Sequence, residues 1–564
     1  MKRIAAAAVL LAFSGMIFAN TLSDISFYDA GKYPRGITLG DFSGNGLNEI
    51  LVANFGEPTL IGQNNENTPN SSLSLFSYSG EGFLMTLKEA GSSPRGLASG
   101  DIDGDGETDF VVTNYDDGTV MIFMGGDSAP EVIETGRHPV GAAIGYVDNN
   151  GIKKKDIAVA VYSDSKVLIL TRNAKGIYTR TETAVPGNPT DVAIGEINGE
   201  RIVVSANYTA GNVSIIKKTG PGIEKITDVR TGGGTCKVEI ADVTGDGINN
   251  IIASNFHDNT ITVIEYMNGE VKSTETYELA GSRPNGMAVG DVNGDGLLDV
   301  VAANRDSDSI DILIQKNGKL ELVKSYTAAD DEDKTYGPVE VAIGDVTGNG
   351  LADIVFTHMR SHSIGVIVQS LPAPPVIVSN THPDQDLWYA NPSPVFMIET
   401  QDDLNGIQGI YYMISGEEKP FNAKDAEYTA GLSVLVENLE TGTWYFTAAV
   451  KDNAGNVSLP ASYRVNITAE ISEKNVYNFP NPADTETTIR FPVSGPQEVK
   501  IIILDSKGTP VWQKQLSPSE VAAGVNYVKW MLVNDTGRRV SNGIYMLRVI
   551  TEDKVINKKI AVIR

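Results

Sequence analysis

The stretch that decides the fold is Asp101-Ile102-Asp103-Gly104-Asp105-Gly106-Glu107-Thr108-Asp109. Carboxylates occupy its first, third, fifth and ninth positions, and its glycines allow a tight wrap of the backbone. Because hard divalent cations prefer several oxygen ligands, the pattern predicts a calcium loop in which the seventh residue, Glu107, offers its backbone carbonyl. The EF-hand opens similarly but ends with a glutamate at position twelve between two helices. Here the β-branched and aromatic run 110–113 follows instead, so the loop is predicted to join two strands.

The same frame recurs along the chain at intervals of 45 to 60 residues. A period in that range with strand-like content is typical of β-propellers and other solenoids, and four short strands fit in each unit. In one unit, strands are predicted over 286–289, 300–303, 310–314 and 320–326. The copies begin at Gly40-Asp41, Gly100-Asp101, Gly145-Tyr146, Gly195-Glu196, Ala241-Asp242, Gly290-Asp291 and Gly344-Asp345.

The seventh unit ends before Pro372 without a fourth strand. Residues 22–31 resemble the fourth strands of other units, and they are followed by the same Pro-Arg-Gly entry that begins the next innermost strand. We therefore expect residues 22–31 to complete the last unit, which removes two exposed sheet edges. The expected fold class is all-β: a seven-bladed β-propeller over residues 20–370, plus two C-terminal Ig-like β-sandwiches.

From about Thr21 to Ser370 the repeats resemble FG-GAP or VCBS repeats, the calcium-loop propeller units also found in integrin α subunits. Five second strands also end in a shared pattern that is similar to the YVTN propeller repeats of surface-layer proteins. These endings are Val52-Ala-Asn54, Val112-Thr-Asn114, Ser205-Ala-Asn207, Ala253-Ser-Asn255 and Ala302-Ala-Asn304. Both resemblances imply an extracytoplasmic propeller.

The loops differ in their predicted calcium ligands. Full sets are offered by the second and sixth units and a reasonable set by the seventh, namely Asp101, Asp103, Asp105, Glu107 and Asp109; Asp291, Asn293, Asp295, Leu297 and Asp299; and Asp345, Thr347, Asn349, Leu351 and Asp353. The first and fifth units are weaker because they lack a ninth-position aspartate: Asp41, Ser43, Asn45 and Glu49, and Asp242, Thr244, Asp246 and Asn250. The third and fourth units are expected to bind no metal. The alternative for every loop is a hairpin that only turns the chain.

The ends of the innermost strands opposite these loops are predicted to share one face. Aromatic rings beside amides and arginines suit a sugar or a peptide segment. The alternative is that each asparagine caps a hairpin and each ring packs on a neighbouring unit. The candidate ligand-binding residues are Arg35, Asn54, Phe55, Arg95, Asn114, Tyr115, Asn207, Tyr208, Asn255, Phe256, Arg283, Asn304, Arg305 and His358.

Three functions are compatible with these patterns. The first is a non-catalytic propeller at the cell surface that binds a protein or glycan and is stabilised by Ca²⁺. The second is a polysaccharide-active propeller enzyme, a lyase or hydrolase, similar to calcium-dependent lyases that use such repeats. The third is a structural component of a surface layer. His358 and His362 lie on a hairpin rather than on one helical face, so zinc catalysis is not expected and no catalytic residue is predicted.

The beginning of the chain predicts export, and its charge restricts the partners. Lys2-Arg3, an apolar run to Phe13 and Ile17-Phe18-Ala19 have the form of a secretory signal, so residues 1–19 are predicted to be removed. The formal charge of −26 at pH 7 argues against nucleic acid as a partner. No later segment is apolar enough for a transmembrane helix. We expect a secreted or outer-surface protein, with the periplasm as an alternative.

Two modules are predicted beyond a proline-rich linker, residues 371–375. Residues 376–470 carry short strand-like runs and resemble bacterial Ig-like or fibronectin III-like modules. Residues 471–564 begin with Tyr477-Asn-Phe-Pro480-Asn-Pro482 and contain Trp530 and Asp535-Thr-Gly537. They resemble the FlgD Ig-like fold and the C-terminal sorting domains of the type IX secretion system. The second resemblance implies recognition by a secretion machinery, whereas the first implies an assembly domain.

Overall fold

The computed structural model describes residues 22–56, 71–125, 129–147, 154–173, 175–220, 222–328, 337–401, 405–468 and 471–563. The predicted signal peptide lies outside these ranges. The chain divides into two compact units, one spanning Asn20–Ser370 and the other containing Leu371–Arg564. A long apolar helix of the kind that crosses a bilayer is absent from the described ranges.

The first unit consists of short antiparallel strands. They are β1 Ser26–Asp29, β2 Pro34–Gly40, β3 Glu49–Asn54, β4 Ser72–Tyr78, β5 Phe83–Lys88, β6 Pro94–Gly100, β7 Asp109–Asn114, β8 Thr119–Phe123, β9 Glu131–Glu134, β10 Pro139–Gly145, β11 Asp156–Val161, β12 Lys166–Arg172, β13 Tyr178–Ala184, β14 Pro189–Ile197, β15 Glu200–Asn207, β16 Asn212–Thr219, β17 Gly222–Arg230, β18 Thr235–Ala241, β19 Asn250–Asn255, β20 Thr260–Met267, β21 Glu270–Glu278, β22 Pro284–Gly290, β23 Asp299–Asn304, β24 Ser309–Lys316, β25 Lys319–Thr327, β26 Pro338–Gly344, β27 Asp353–His358 and β28 Ser363–Ile367.

Six sheets use four consecutive strands, beginning at β2, β6, β10, β14, β18 and β22. A seventh has the order β1-β28-β27-β26, so the strand nearest the N-terminus pairs with a strand more than 300 residues away, in the register Ser26 with Val366. The first strand of each sheet contacts the first strand of the next, and β26 contacts β2. The described part of this unit is thus built from repeated four-stranded antiparallel sheets, consistent with a propeller.

The burial of the strands follows their position in each sheet. The second strands, such as β7 and β23, are buried along their whole length because neighbouring sheets cover both faces. Their sequences are therefore continuous apolar runs rather than alternating ones. The outermost strands, such as β5 and β21, are mostly exposed. Separate apolar clusters fill the space between neighbouring sheets, and one of them joins Ile50 and Val52 of the first sheet to Val355 and Ile364 of the last.

Glycines in the first strands allow these strands to approach each other closely. A Cβ atom added to Gly36 would lie 2.2 Å from the Arg95 carbonyl oxygen, and one added to Gly96 would lie 2.0 Å from that of Val140. Such distances exclude any side chain at these two positions. The glycine of each Pro-Arg-Gly entry, in β2 and in β6, is therefore required by the packing of adjacent strands.

The second unit contains two pairs of sheets. Residues 376–467 form β29 Val376–Val378, β30 Trp388–Tyr389, β31 Val395–Glu399, β32 Ile407–Ser415, β33 Glu427–Thr429, β34 Ser433–Leu435, β35 Gly442–Asp452 and β36 Ala461–Ile467. They assemble as β29-β31-β34 and β30-β36-β35-β32-β33 around one core that includes Phe396 and Phe446. The pairing of β30 with β36 is parallel.

Residues 477–562 also form two sheets around one core. They form β37 Tyr477–Phe479, β38 Thr487–Val493, β39 Val499–Leu504, β40 Pro510–Leu516, a 3-10 turn at Pro518–Glu520, β41 Gly524–Trp530, β42 Gly543–Ile550 and β43 Val555–Val562. The sheets β37-β38-β41 and β40-β39-β42-β43 enclose a core in which Trp530 is fully buried. The indole Nε1 of Trp530 donates a hydrogen bond to the Val533 carbonyl oxygen at 2.8 Å, which satisfies its buried polar atom.

Candidate functional site

A cavity of about 330 Å³ lies where the innermost strands of the first unit meet. Its lining comes from two sets of positions, the beginnings of the innermost strands and the residues that follow the second strands. Because these strands are antiparallel, both sets lie at the same end of the sheets. The aspartate loops join the other ends of the same strands, about 20 Å away for a strand of seven residues.

Arginines and aromatic rings form one part of the cavity wall. The lining includes Arg35, Arg95, Arg305, Tyr115, Tyr162, Tyr208 and Phe256. Each arginine lies over a ring: the guanidinium carbons of Arg35, Arg95 and Arg305 are 5.3, 5.2 and 4.7 Å from the centroids of Phe55, Tyr115 and Phe256. Stacking of this kind holds the planar guanidinium groups in fixed orientations.

Arg35 and Arg95 differ from the third arginine in their partners. Arg305 makes an ion pair with Asp306 at 2.9 Å. Within the described residues, neither Arg35 nor Arg95 has a carboxylate oxygen within 4.0 Å, and the Arg35 Nε atom is buried without a hydrogen-bond partner. Burial, together with repulsion from Arg95 and Arg305, lowers the pKa of Arg35 to about 9. Burial also lowers the pKa of Arg95.

A cluster of three acids and one lysine forms another part of the site. Lys237 Nζ lies 3.2 Å from Asp191 Oδ2 and 3.3 Å from Glu340 Oε1. Burial alone disfavours the ammonium, but attraction from Asp191 and Glu340 raises the pKa of Lys237 overall. One cation cannot neutralise all the acids beside it. Burial raises the pKa of Glu340 and the pKa of the nearby Glu239 to about 7 each. The positive charge of Lys237 opposes both shifts but does not cancel them.

The aspartate loops share one backbone arrangement. The first carboxylate of each described loop accepts hydrogen bonds from the backbone N–H groups that follow it; for Asp101 these are Gly104 at 2.6 Å and Gly106 at 3.1 Å. The ninth residue closes the loop, and Asp109 accepts from Ile102 N and Gly125 N. Glycines with φ of 82° and 91° at positions 104 and 106 permit this wrap.

The second loop fits a cation better than the others do. Asp101, Asp103 and Asp109 each offer a carboxylate oxygen within 4.8 Å of the other two, which is the one such group of three found in the described ranges. The Asp103 Oδ1 atom is buried there and accepts no hydrogen bond. Arg172 is the nearest counter-charge, with Nη1 3.8 Å from Asp103 Oδ2. An unsatisfied carboxylate oxygen among two further carboxylates is the donor set that Ca²⁺ prefers.

Side chains close the remaining loops by hydrogen bonding. In the first loop, the Glu49 carboxylate accepts from the Ser43 hydroxyl, from the Asn45 amide at 3.1 Å and from Phe42 N at 2.8 Å. In the fifth, Asn250 Oδ1 accepts from Val243 N and Thr244 Oγ1. In the seventh, the Asn349 amide donates to the Gln369 carbonyl oxygen at 2.8 Å.

In the sixth loop, the Asn293 amide donates to Asp295 at 3.1 Å, and both oxygens of Asp299 accept backbone N–H groups, from Val292 and Gln315. The fourth unit has no such loop, since β14 and β15 are joined by the tight turn Asn198-Gly199. Residues 148–153 of the third loop lie outside the described residues.

Comparison with protein families places these features among known repeats. Models of the FG-GAP-like repeat match residues 242–302 and 291–356, and the FG-GAP repeat matches residues 93–123. The model described as a secretion system C-terminal sorting domain matches residues 477–563. The chain therefore carries FG-GAP repeats and a sorting domain. The sorting domain indicates export, display at the cell surface and recognition by a secretion machinery.

More distant comparisons add little. A search of curated proteins gives no match. A solved structure of BBS1N in complex with ARL6DN has a TM-score of 0.44 at 12% identity, over 62% of this chain and 98% of that chain. A functionally unknown protein from Desulfotomaculum acetoxidans DSM 771 has a TM-score of 0.39 at 15% identity, over 52% of this chain and 88% of that chain. These similarities are too distant to indicate a ligand or an activity.

The fourteen candidate ligand-binding residues fall into three groups. Six line the cavity: Arg35, Arg95, Tyr115, Tyr208, Phe256 and Arg305. Phe55 lies beneath Arg35, and Arg283 lies over Phe256 while its Nε is 3.4 Å from Asp306. The other six are fully buried and do not line the cavity: Asn54, Asn114, Asn207, Asn255, Asn304 and His358.

The buried asparagines hold the hairpins that follow the second strands. Asn255 donates to Thr260 Oγ1 at 3.0 Å and to Thr262 Oγ1 at 2.9 Å, and Asn207 donates in the same way to Asn212 and Ser214. His358 Nδ1 interacts with the Ser361 hydroxyl at 2.6 Å in the equivalent turn. The amide contacts of these asparagines are those of the hairpin-capping alternative.

The charged cluster of Asp191, Lys237 and Glu340 was missed in the sequence analysis. These residues occupy the position in the innermost strands that glycine fills at Gly36, Gly96, Gly141 and Gly286. Aligning the first strands position by position would have shown three charges in a column otherwise made of glycine. Tyr162 lines the same cavity and occupies the aromatic position of the asparagine-aromatic pairs, with Val161 in place of the asparagine.

Proposed function

We propose that residues 20–370 form a seven-bladed β-propeller that binds a glycan or protein ligand at the surface of the cell and performs no catalysis. The proposal is carried by the central cavity, where Arg35, Arg95, Tyr115 and Tyr208 converge from three repeats. Ligand sites are typically concave, with aromatic walls and a few placed polar groups. The pairing of β1 with β28 and the contact of β26 with β2 support a closed ring.

In this proposal the second unit displays the propeller. Residues 376–470 serve as an Ig-like spacer module, an assignment supported by two sheets that share one core. Residues 477–563 match the sorting domain, which brings the chain to the surface. Their own two-sheet core supports an Ig-like fold for this module as well.

Binding of the full chain to a glycan library and to extracted surface proteins tests the proposed function. We expect a specific ligand whose binding falls at least about tenfold in Tyr115→Ala and Tyr208→Ala, because both rings line the cavity. The matched control is Leu87→Ala on the exposed outermost strand β5, which should bind normally. A ligand whose affinity is equal in all three variants would place the binding site elsewhere and contradict the proposal.

We further propose that Ca²⁺ binds the loop Asp101–Asp109 and stabilises the first unit. Asp101, Asp103 and Asp109 would supply carboxylate oxygens, and Glu107 its backbone carbonyl, as the sequence pattern predicts. Support comes from the unsatisfied oxygen of Asp103 among these acids. Equivalent sites are proposed at Asp291–Asp299 and Asp345–Asp353, where hydrogen bonds compete more strongly for the same oxygens.

Chelation is expected to lower the melting temperature of the first unit and leave that of the second unchanged. Binding to the folded state alone contributes about 2.7 kcal/mol when free calcium is a hundredfold above the dissociation constant. Calorimetry of the full chain with calcium or with excess chelator measures the shift. Asp103→Asn should weaken the tightest site at least about tenfold, whereas Asp246→Asn in the fifth loop serves as the control. Identical melting curves with and without chelator would rule out the calcium proposal.

A further inference from the structure

The cavity contains two cations that have no carboxylate oxygen within 4.0 Å among the described residues. Arg35 and Arg95 begin the neighbouring strands β2 and β6, and each lies over an aromatic ring rather than against a carboxylate. The buried Nε atom of Arg35 donates no hydrogen bond. By contrast, Arg283 and Arg305, at the same end of the sheets, both pair with Asp306.

Two unpaired guanidinium groups are costly in a partly buried position. They repel each other, and an unsatisfied buried donor loses its hydrogen bonds to water without replacement. An anionic group between them would remove both costs, and the planar fork of arginine matches a carboxylate in particular. The arrangement therefore favours a ligand with a negative charge.

The acidic part of the cavity restricts that ligand further. Asp191 and Glu340 line the same cavity, so a second negative charge on the ligand would be repelled. The Glu340 Oε1 atom lies 3.3 Å from Lys237 Nζ but accepts no aligned hydrogen bond, and it remains able to accept one from a hydroxyl. The ligand should thus carry one anionic group and several hydroxyl donors.

The size of the cavity and its aromatic lining also restrict the ligand. A cavity of about 330 Å³ is at the small end of ligand sites, so it suits one ring or the end of a chain. Tyr208 and Tyr162 are half-buried rings of the lining against which a sugar can pack. The faces of Tyr115 and Phe256 are already covered, Tyr115 by Arg95 and His138 and Phe256 by Arg283 and Arg305. Free amino acids and peptide ends bring fewer hydroxyl donors to Glu340 than a sugar does.

We propose that the cavity binds an acidic sugar, with its carboxylate on Arg35 and Arg95 and its hydroxyls on the side of Glu340. This inference rests on the proposed binding function and names the ligand class for the same site. The sugar is recognised either free or as the uronate end of an oligosaccharide, since the chemistry of the contact is the same.

Calorimetric titration of the full chain with free glucuronate, with a uronate-terminated oligosaccharide and with glucose tests the proposal. At about 150 mM salt, where long-range repulsion from the acidic surface is screened, at least one of the two uronate probes should bind about tenfold more tightly than glucose. Tighter binding of the oligosaccharide than of free glucuronate identifies the chain end as the natural ligand. Inorganic sulfate and tri-glutamate should compete weakly, because they lack the ring and its hydroxyls.

Two variants locate the contact between the ligand and the cavity, and a third serves as the control. Arg35→Gln and Arg95→Gln should each weaken uronate binding at least about tenfold and leave glucose binding unchanged. Their melting temperatures should not fall, because each substitution removes a repulsion, and this separates a binding role from a structural one. Arg180→Gln on the outer strand β13 is the control, since it contacts carbonyl oxygens of Glu134 and Thr135 away from the cavity.

The possible results separate this inference from the proposed function. Equal binding of glucose and the uronates, full affinity in Arg35→Gln and Arg95→Gln, or tighter binding of sulfate or tri-glutamate would overturn the acidic sugar. If a neutral glycan then binds and its affinity falls in Tyr115→Ala, the proposed binding function stands and only the acidic-sugar inference fails. If no library glycan and no surface protein binds the cavity, both proposals fail.

Discussion

Replacing Lys237 by methionine is expected to lower the free energy of unfolding of the first unit by about 3–5 kcal/mol at pH 7, which is the usual cost of removing one partner from a buried ion pair. The Lys237 ammonium lies 3.2 Å from Asp191 and 3.3 Å from Glu340. Methionine retains much of the aliphatic stem, so the loss arises from charge rather than from a cavity. Urea unfolding of the full chain, followed by fluorescence, measures the change.

The pH dependence of this variant supplies a second check. Folded-state pKa values of about 7 for Glu239 and Glu340 exceed the ordinary value of 4.5. The folded chain then retains protons that the unfolded chain releases, so this contribution to stability is present below about pH 4.5 and is lost as pH rises to 7. Without Lys237 the pKa values of these carboxyls rise further, and stability should fall more steeply between pH 5 and 8.

Two further variants make the test of Lys237 specific. Adding Asp191→Asn and Glu340→Gln to Lys237→Met should recover most of the loss, because the two carboxylates within 4.0 Å of the lysine are then neutral and Glu239 no longer experiences repulsion from Asp191. Lys316→Met is the surface control, since its ammonium lies 3.5 Å from Glu321 with 64% of the side chain exposed, and exposed pairs contribute about 1 kcal/mol or less. A loss below about 1 kcal/mol for Lys237→Met, or an equal loss at pH 5 and 8, would contradict a buried charge cluster.

The repeated frame predicted the turns and strands because the residues that define each copy contact one another within that copy. The aspartate and glycine positions of Asp101–Asp109 form hydrogen bonds within the same nine residues, so their spacing is sufficient to indicate the turn. The flanking apolar runs form strands for the same reason. The all-β class and the repeated four-stranded sheets could therefore be predicted. For the C-terminal module the sequence left two families open, of which the sorting domain is the one matched.

The cavity depends on contacts that spacing within one repeat does not encode. Asp191, Lys237 and Glu340 belong to three different sheets, and they meet only because the innermost strands come together. The asparagines were ambiguous because an amide at a strand end can face a ligand or cap a turn. A local signal was present, since hydroxyl or amide side chains five and seven residues after Asn207 and Asn255 are their hydrogen-bond partners.

Deleting residues 22–29 is expected to destabilise the first unit by at least about 4 kcal/mol, because it removes one buried and three half-buried large side chains. Leu22 is buried, Ser23 N donates to the Val368 carbonyl oxygen at 2.8 Å, and Phe27 packs edge-on against Phe356. The deletion also leaves β28, a strand buried along its whole length, as an unpaired edge of its sheet. Unfolding in urea and sedimentation measure the loss of stability and the expected self-association through that edge.

Adding the missing strand as a separate peptide distinguishes ring closure from a general loss of packing. A peptide of residues 20–31 should bind the deleted chain as an added strand in the register Ser26 with Val366, raise its melting temperature and suppress self-association. Asp24→Ala in the full chain is the matched control, since this side chain is exposed and its loss should change stability by less than about 0.5 kcal/mol. A deleted chain that is as stable as the full chain, or one that the peptide cannot restore, would show that β1 does not close the last sheet.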